Sequence, residues 1–254
     1  MYDAHNHVQK LGKIDELNDV AGRALAAGVV RMTVCATGEN GDWAQVRSIG
    51  EEGDGFARVC MGLHPWFVGT EPIGWKAKLE HELDAVACGV GEIGLDTRAQ
   101  QAGPIEDQLS AFQWQLDMAL DHNLPAVIHC VGAWGKLQPV LKARPKLRFL
   151  LHGYKGSPEM AAQLARQGAW FSLGPMTLVT RSDSIAEVIA QLPLERLMIE
   201  TDAPDGCLKA GMENGEPTQL VKVCEALAKE LKRDTEAVAK LTFDNAERFF
   251  ATKR

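Results

Sequence analysis

Short apolar runs alternate along the chain with longer stretches in which apolar residues recur every third or fourth position. Eight runs read as strands: Tyr2–Val8, Val29–Ala36, Ala57–Leu63, Ala87–Ile93, Pro125–Cys130, Leu147–Leu151, Ala169–Leu173 and Leu197–Thr201. Most are continuous in their hydrophobicity, as parallel strands buried on both faces should be. Between them, Ile14, Leu17, Ala21, Ala24 and Leu25 share one helical face. Trp75, Leu79, Leu83 and Val86 share a second, and Ile105, Leu109, Phe112, Leu116 and Leu120 a third. Pro104 precedes the long central helix, Ser157-Pro158-Glu159 reads as N-cap, first-turn proline and first-turn acid, and Gly168 ends the helix that follows. Pro217 opens a helix with Leu220, Cys224, Leu227 and Leu231 on one side, and a short helical tail around Phe243–Phe250 finishes the chain.

Eight strands, each followed by a helix, predict an α/β fold: one (β/α)8 TIM-type barrel domain over residues 1–254, with its active site at the C-terminal ends of the strands. An open doubly wound sheet is the alternative. That fold carries a glycine-rich phosphate turn after its first strand, whereas this first strand runs into His5-Asn6-His7. A length of 254 residues suits one α/β barrel.

A formal charge of −7 argues against a protein that coats nucleic acid by bulk electrostatics, but leaves room for a local basic or metal-bearing pocket. None of the six cysteines sits in a C-x-x-C pair, so they read as reduced, buried thiols and not as a disulfide framework or thiolate metal site. No apolar segment reaches transmembrane length. The expectation is a cytoplasmic protein without membrane contact or an obligate protein partner.

The strand ends carry the chemistry. Strand 1 ends on His5 and His7, strand 3 on His64, strand 4 on Glu92, strand 5 on His129, strand 6 on His152, strand 7 on Ser172 and strand 8 on Glu200 and Asp202. Five of the seven histidines fall at strand ends, and core packing has no preference for one end of a barrel. His81 and His122 lie in helical segments and are expected to face solvent. Asp3, His5 and His7 alternate, so on a regular strand they leave one face together; Asp3, deeper in the barrel, is read as a structural acid. Barrel closure brings Asp202 beside His5 and His7, with Glu92, His129 and His152 across the mouth. Nitrogen and carboxylate ligands without thiolate suit Zn, Mn, Fe or Mg. Six candidate ligands exceed the needs of one catalytic ion, and two divalent ions (Mg, Mn or Zn), bridged by Glu92 and about 3.5–4 Å apart, would use them all. Such a pair makes hydroxide, with Asp202 taking the proton and His64 or Lys155 meeting leaving-group charge.

These residues resemble the TatD family of metal-dependent hydrolases over nearly the whole length. Asp3-Ala-His-Asn-His7 is similar to its opening Asp-x-His-x-His, and Gly62-Leu-His-Pro65 to its Gly-x-His-Pro. Gly91-Glu-Ile-Gly-Leu-Asp96, Ile128-His129, His152 with Gly156-Ser157, Glu200-Thr-Asp-x-Pro204 and Asn245-Ala-Glu-Arg-Phe249 resemble the motifs that follow. The resemblance implies His5, His7, Glu92, His129, His152 and Asp202 as metal ligands, with Glu92 bridging and Asp202 also serving the water. It casts His64 and Glu200 as substrate-facing or supporting groups. It implies phosphodiester hydrolysis, with 3′-to-5′ exonuclease action on DNA as the best-known activity. The chain departs from many relatives at Val131 (arginine), Thr97 (an aromatic), Gly153-Tyr154-Lys155 (Cys-Phe-Ser/Thr) and the loop from Ala203 to Glu216, where Lys209 is the one base. These losses fall on groups that grip phosphate; Lys155, Arg98, Arg181 and Lys209, in strand-to-helix loops, could replace them. Trp66, Phe67 and Trp134 follow strand ends, where a base could stack. Two other readings keep the same architecture: a hydrolase of a small amide, lactone or ester, and a metal-binding protein without catalysis.

Overall fold

The computed structural model describes residues 1–12, 14–38, 42–98, 104–179 and 185–251. Eight strands, β1 (Tyr2–Asn6), β2 (Arg31–Cys35), β3 (Ala57–Met61), β4 (Gly89–Asp96), β5 (Ala126–Val131), β6 (Phe149–Leu151), β7 (Trp170–Leu173) and β8 (Leu197–Ile199), form one sheet in chain order. Each pairs in parallel with the next. The helices are α1 (Ile14–Ala26), α2 (Trp43–Glu52), α3 (Trp75–Ala85), α4 (Ile105–Asp121), α5 (Trp134–Lys142), α6 (Pro158–Arg166), α7 (Pro175–Leu178), α8 (Ile185–Gln191), α9 (Asp205–Lys209), α10 (Leu220–Leu231) and α11 (Thr235–Phe249).

The seam between β8 and β1 nearly closes a (β/α)8 barrel. Asp202 N–H donates to the His5 carbonyl (3.0 Å) and His7 N–H to that of Ala203 (2.7 Å). One residue deeper a side chain completes the seam: the Asp3 carboxylate accepts the Thr201 N–H (2.8 Å) and hydroxyl (2.5 Å). Burial pushes the Asp3 carboxyl up to about 7, against the pull of the Thr201 donors.

Below the strand ends lies an apolar floor that includes Tyr2, Ala4, Cys35, Cys60, Val127, Leu150 and Met198. Val127, Leu150 and Met198 precede His129, His152 and Glu200 by two residues, so floor and strand-end residues share a face. On β1 the step from Ala4 to His5 is one residue. There the pairing with β2 is irregular, between Asp3 and Asn6, and such an irregularity resets the alternation. Asp3 therefore does not share the face of His5 and His7, as regular alternation predicts, and turns to Thr201 instead. From below, Phe249 and Phe250 seal the floor, with Phe250 stacked on Tyr2 (5.9 Å between centroids, 10° between planes).

Two glutamines on one face of α4 hold strand ends in place of neighbouring strands. The last ladder pair of β3 with β4 is Met61 with Val90. Beyond it, Gln115 accepts the Leu63 N–H (2.7 Å) and donates to the Leu63 carbonyl (3.1 Å). Gln108 does the same for Asp96, at 3.0 and 3.2 Å. Gln115→Leu would leave both polar groups of buried Leu63 unpaired, and is expected to lower stability by about 2–3 kcal/mol in urea unfolding. An unchanged midpoint would show that the clasp contributes nothing.

Several expectations change. The C-terminal tail is helical as expected but longer, a helix of 15 residues that starts at Thr235. Its buried stripe, Val238, Thr242, Asn245, Ala246 and Phe249, includes two polar residues that an apolar count overlooks. Thr242 returns its hydroxyl to the Val238 carbonyl, and Asn245 Nδ2 donates to the carbonyls of Leu194 (2.8 Å) and Leu197 (2.7 Å), pinning α11 to the entrance of β8. Leu25 is 49% exposed and does not join the buried face of α1. His122 is partly covered, with its Nδ1 3.0 Å from Asp84 Oδ1, while His81 faces solvent as expected. The apolar runs also missed α5, whose pattern Pro139 obscures. Arg181 lies outside the described residues.

Candidate metal centre

Glu92, buried on β4, is the hub of the strand-end cluster. Its Oε2 lies 3.0 Å from His7 Nε2 and 3.5 Å from His5 Nε2. Its Oε1 lies 2.8 Å from His129 Nδ1, 2.8 Å from His152 Nε2 and 3.3 Å from His64 Nε2. Each oxygen thus serves a different set of histidines. Burial alone would raise this carboxyl, but the surrounding imidazoles hold it well below the usual carboxylate range. Gly94 brings the strands this close: at φ +147° it lies so near β5 that a Cβ would strike the His129 carbonyl.

Partners on the far side of each ring determine which nitrogen carries the proton. His7 Nδ1 lies 2.7 Å from the Cys35 carbonyl, which can only accept, so His7 turns its Nε2 lone pair towards Glu92. His129 Nε2 donates to Asp96 Oδ2 (3.0 Å), and its Nδ1 lone pair faces the hub. His152 Nδ1 faces Glu200 Oε1 (3.4 Å), and its Nε2 faces the hub. Three lone pairs are therefore aimed at an anion, an arrangement stable only with cations between them, either extra protons or metal. Without metal, burial opposes a charge on His129 and His152, yet their carboxylate partners keep both above the ordinary histidine range. His64 is built the other way. Its Nδ1 accepts the Trp66 N–H (3.1 Å), so its proton sits on Nε2 and donates towards Glu92. Burial pushes His64 down to about 4 and keeps it neutral.

His5 supplies a direct test of whether a metal fits. Both its ring nitrogens are buried and, among the described residues, neither has a hydrogen-bond partner, a costly state that a metal bond would relieve. His5, His7 and Asp202 offer ligand atoms within 4.8 Å of one another, as do His5, Glu92 and His152. Asp202 Oδ1 is 3.8 Å from Nε2 of both His5 and His7. The donor set and its outward hydrogen bonds fit divalent cations.

The residues singled out at the strand ends meet at one mouth, a cavity of about 430 Å³ lined by His7, His64, Glu92, His129, His152, Lys155 and Asp202 among others. His5, Ser172 and Glu200 are buried and do not line it; the case of Glu200 bears on substrate. Glu200 is fully buried, touches His152 from behind and accepts the Ser172 hydroxyl, so it faces a histidine and not the open cavity. Arg98, Lys155 and Lys209 line the mouth, joined by Lys10, whose partner is Asp205 (3.2 Å). Asp96 and the Cys35 carbonyl were missed as supports. The Gly-Glu-Ile-Gly-Leu-Asp run contains Asp96, but spacing alone gives it no partner. Besides His129, Asp96 accepts Trp66 Nε1 (2.8 Å) and three Arg98 donors (2.8, 3.2 and 3.1 Å). Burial would raise its carboxyl, but these donors hold it far below the usual range. Asp96→Asn is expected to weaken metal affinity by about 10- to 100-fold, because the support of His129 is lost. Calorimetric titration with Zn or Mn checks this, and unchanged affinity would remove Asp96 from the site.

Known proteins resemble this chain over nearly its whole length. The family described as TatD related DNase matches residues 2–251. Deoxyribonuclease TATDN3 of Homo sapiens is 27% identical over 267 residues, covering 100% of this chain and 96% of the relative. The uncharacterized metal-dependent hydrolase YabD of Bacillus subtilis (strain 168) is 30% identical over 258 residues, with 98% of each covered. The crystal structure of YjjV, a TatD homolog from Escherichia coli K12, superposes with a TM-score of 0.88 at 28% identity, covering 98% of this chain and 97% of that one. Because the match spans nearly every residue and not one motif alone, the chain belongs to the TatD family of metal-dependent hydrolases.

Proposed function

We propose that this hydrolase cleaves phosphodiester bonds at the 3′ end of DNA with two divalent ions, one held by His5, His7 and Asp202 and the other by His129 and His152, with Glu92 bridging. The observation that carries this reading is the hub: two carboxylate oxygens, each facing its own histidines, with three ring protons committed to partners behind. When bound, such ions make hydroxide available near neutral pH and draw off charge from a phosphoryl oxygen.

The chain's own groups do the rest. Asp202 reaches the open mouth and can take the proton from the attacking water. His64, neutral with its proton on Nε2, can donate towards a departing oxygen near Glu92. Arg98, Lys155 and Lys209 give the mouth of an acidic protein a basic rim suited to phosphates. Six free thiols support a reducing, cytoplasmic setting, and among the described residues no helix is long and apolar enough to cross a membrane.

The test is a panel of 3′-labelled single-stranded oligonucleotides, lactones and amides, assayed with Mg, Mn and Zn after metal analysis of the purified protein. Metal-dependent release of mononucleotides from the 3′ end is expected. Turnover of lactones or amides with intact oligonucleotides would overturn the reading, as would a protein that binds no metal.

A further inference from the structure

Two large apolar side chains lie exposed beside the catalytic mouth: Trp66 is 43% and Phe67 37% exposed, and both line the cavity. Other tryptophans are occupied. Trp75 and Trp114 pack on each other (5.1 Å), and Trp134 packs against Tyr154 (5.4 Å). Trp66 is both open and fixed. Its Nε1 donates to Asp96 Oδ2 at 2.8 Å, and the same oxygen accepts His129 Nε2 at 3.0 Å. Its indole stands edge-on to His64 (5.2 Å, 88°), and His64 reaches Glu92 at 3.3 Å. The exposed indole is therefore one ring away from the hub, and its orientation is tied to a histidine of the candidate metal centre. Arg98 is anchored to the same carboxylate through three donors, yet its side chain is 64% exposed.

We propose that Trp66 is a stacking shelf for the unpaired terminal nucleobase of the substrate, with Arg98 beside it for the adjoining phosphate. This rests on the phosphodiesterase reading above and adds what the site recognises. A nucleobase offers a flat π-face to an indole whatever its identity, and a guanidinium held by a carboxylate keeps donors free for a phosphate oxygen. A cavity of about 430 Å³ is of a size to take one nucleotide. A base already paired in a duplex presents no free face, so an end must fray before the shelf can hold it.

The experiment compares kcat/KM for two single-stranded oligonucleotides, one ending in a normal 3′ nucleotide and one in an abasic deoxyribose, with Mn present. The native enzyme is expected to favour the base-bearing end by roughly tenfold to a hundredfold, the worth of one base stacked on an aromatic side chain. Trp66→Ala should bring that ratio near one, the loss appearing in KM. Trp66→Phe, which keeps a face but drops the bond to Asp96, should retain most of the preference. A native ratio surviving in Trp66→Ala, or a Trp66→Phe variant that falls as far as alanine, would overturn the shelf. If the native enzyme cleaves no phosphodiester, the function fails and the shelf is judged separately by tryptophan fluorescence. Quenching by dAMP but not by deoxyribose 5-phosphate, lost in Trp66→Ala, supports it; quenching by neither overturns it.

Discussion

Glu92→Gln is expected to lower metal-dependent hydrolysis by about three orders of magnitude or more, because several kcal/mol of charge stabilisation depend on that carboxylate. Glutamine has nearly the same shape, so the barrel should hold. The chemistry changes because the amide is neutral and one of its two ends becomes a donor. Oε2 faces His5 and His7, and Oε1 faces His129, His152 and His64. Whichever way the amide is turned, neither set of histidines keeps an anionic partner, and one set faces an NH2 group that cannot bind a cation. Two cations, as proposed, could not then share one bridging group. The cleanest readout is stability: a metal bound only by the folded state adds about 2.7 kcal/mol at a hundredfold excess over its Kd. Added Mn or Zn should therefore raise the melting temperature of the native protein and leave Glu92→Gln nearly unmoved. A variant that still binds two equivalents of metal and turns over normally would remove Glu92 from its central position.

Much of this architecture was legible because barrel strands are buried on both faces, and continuous apolar runs mark them. All eight runs overlap observed strands, although Leu147–Leu151 shrinks to Phe149–Leu151 and Ala87–Ile93 extends to Asp96. The histidines were legible for a different reason: a polar residue closing an apolar run must point into the mouth or go unsatisfied. What was not legible depends on contacts between distant segments. No local pattern ties Asp96 to Trp66, thirty residues away, or decides between the supporting and substrate-facing readings of Glu200, which stands behind His152. The irregularity of β1 escaped because alternation assumes a regular strand, and it sends Asp3 to the seam with Thr201. Thr242 and Asn245 hid the length of α11 in the same way, as polar residues buried by specific partners.

Asp202→Asn is expected to lower kcat by about 10²- to 10⁴-fold, the worth of a positioned general base. Among the acids around the centre, Glu92, Glu200, Asp96 and Asp3 are buried, whereas the Asp202 side chain is 31% exposed and lines the cavity. A group that hands protons to solvent needs that opening. The backbone holds it there: its N–H donates to the His5 carbonyl (3.0 Å) and its own carbonyl accepts the Gly206 N–H (2.6 Å). Asparagine is a better test than alanine because residue 202 has φ +49°, a left-handed conformation that Asp and Asn tolerate and alanine does not. With the backbone kept, Asp202→Asn should melt close to the native protein, and any loss of rate then belongs to the carboxylate. Asparagine cannot accept a proton near neutral pH, so the variant separates the base from the fold around it. Asp202 would leave the mechanism if the variant kept the native rate. A lowered rate that saturating metal restores would assign it to metal binding alone, and the proton would then have to leave by another group at the same mouth.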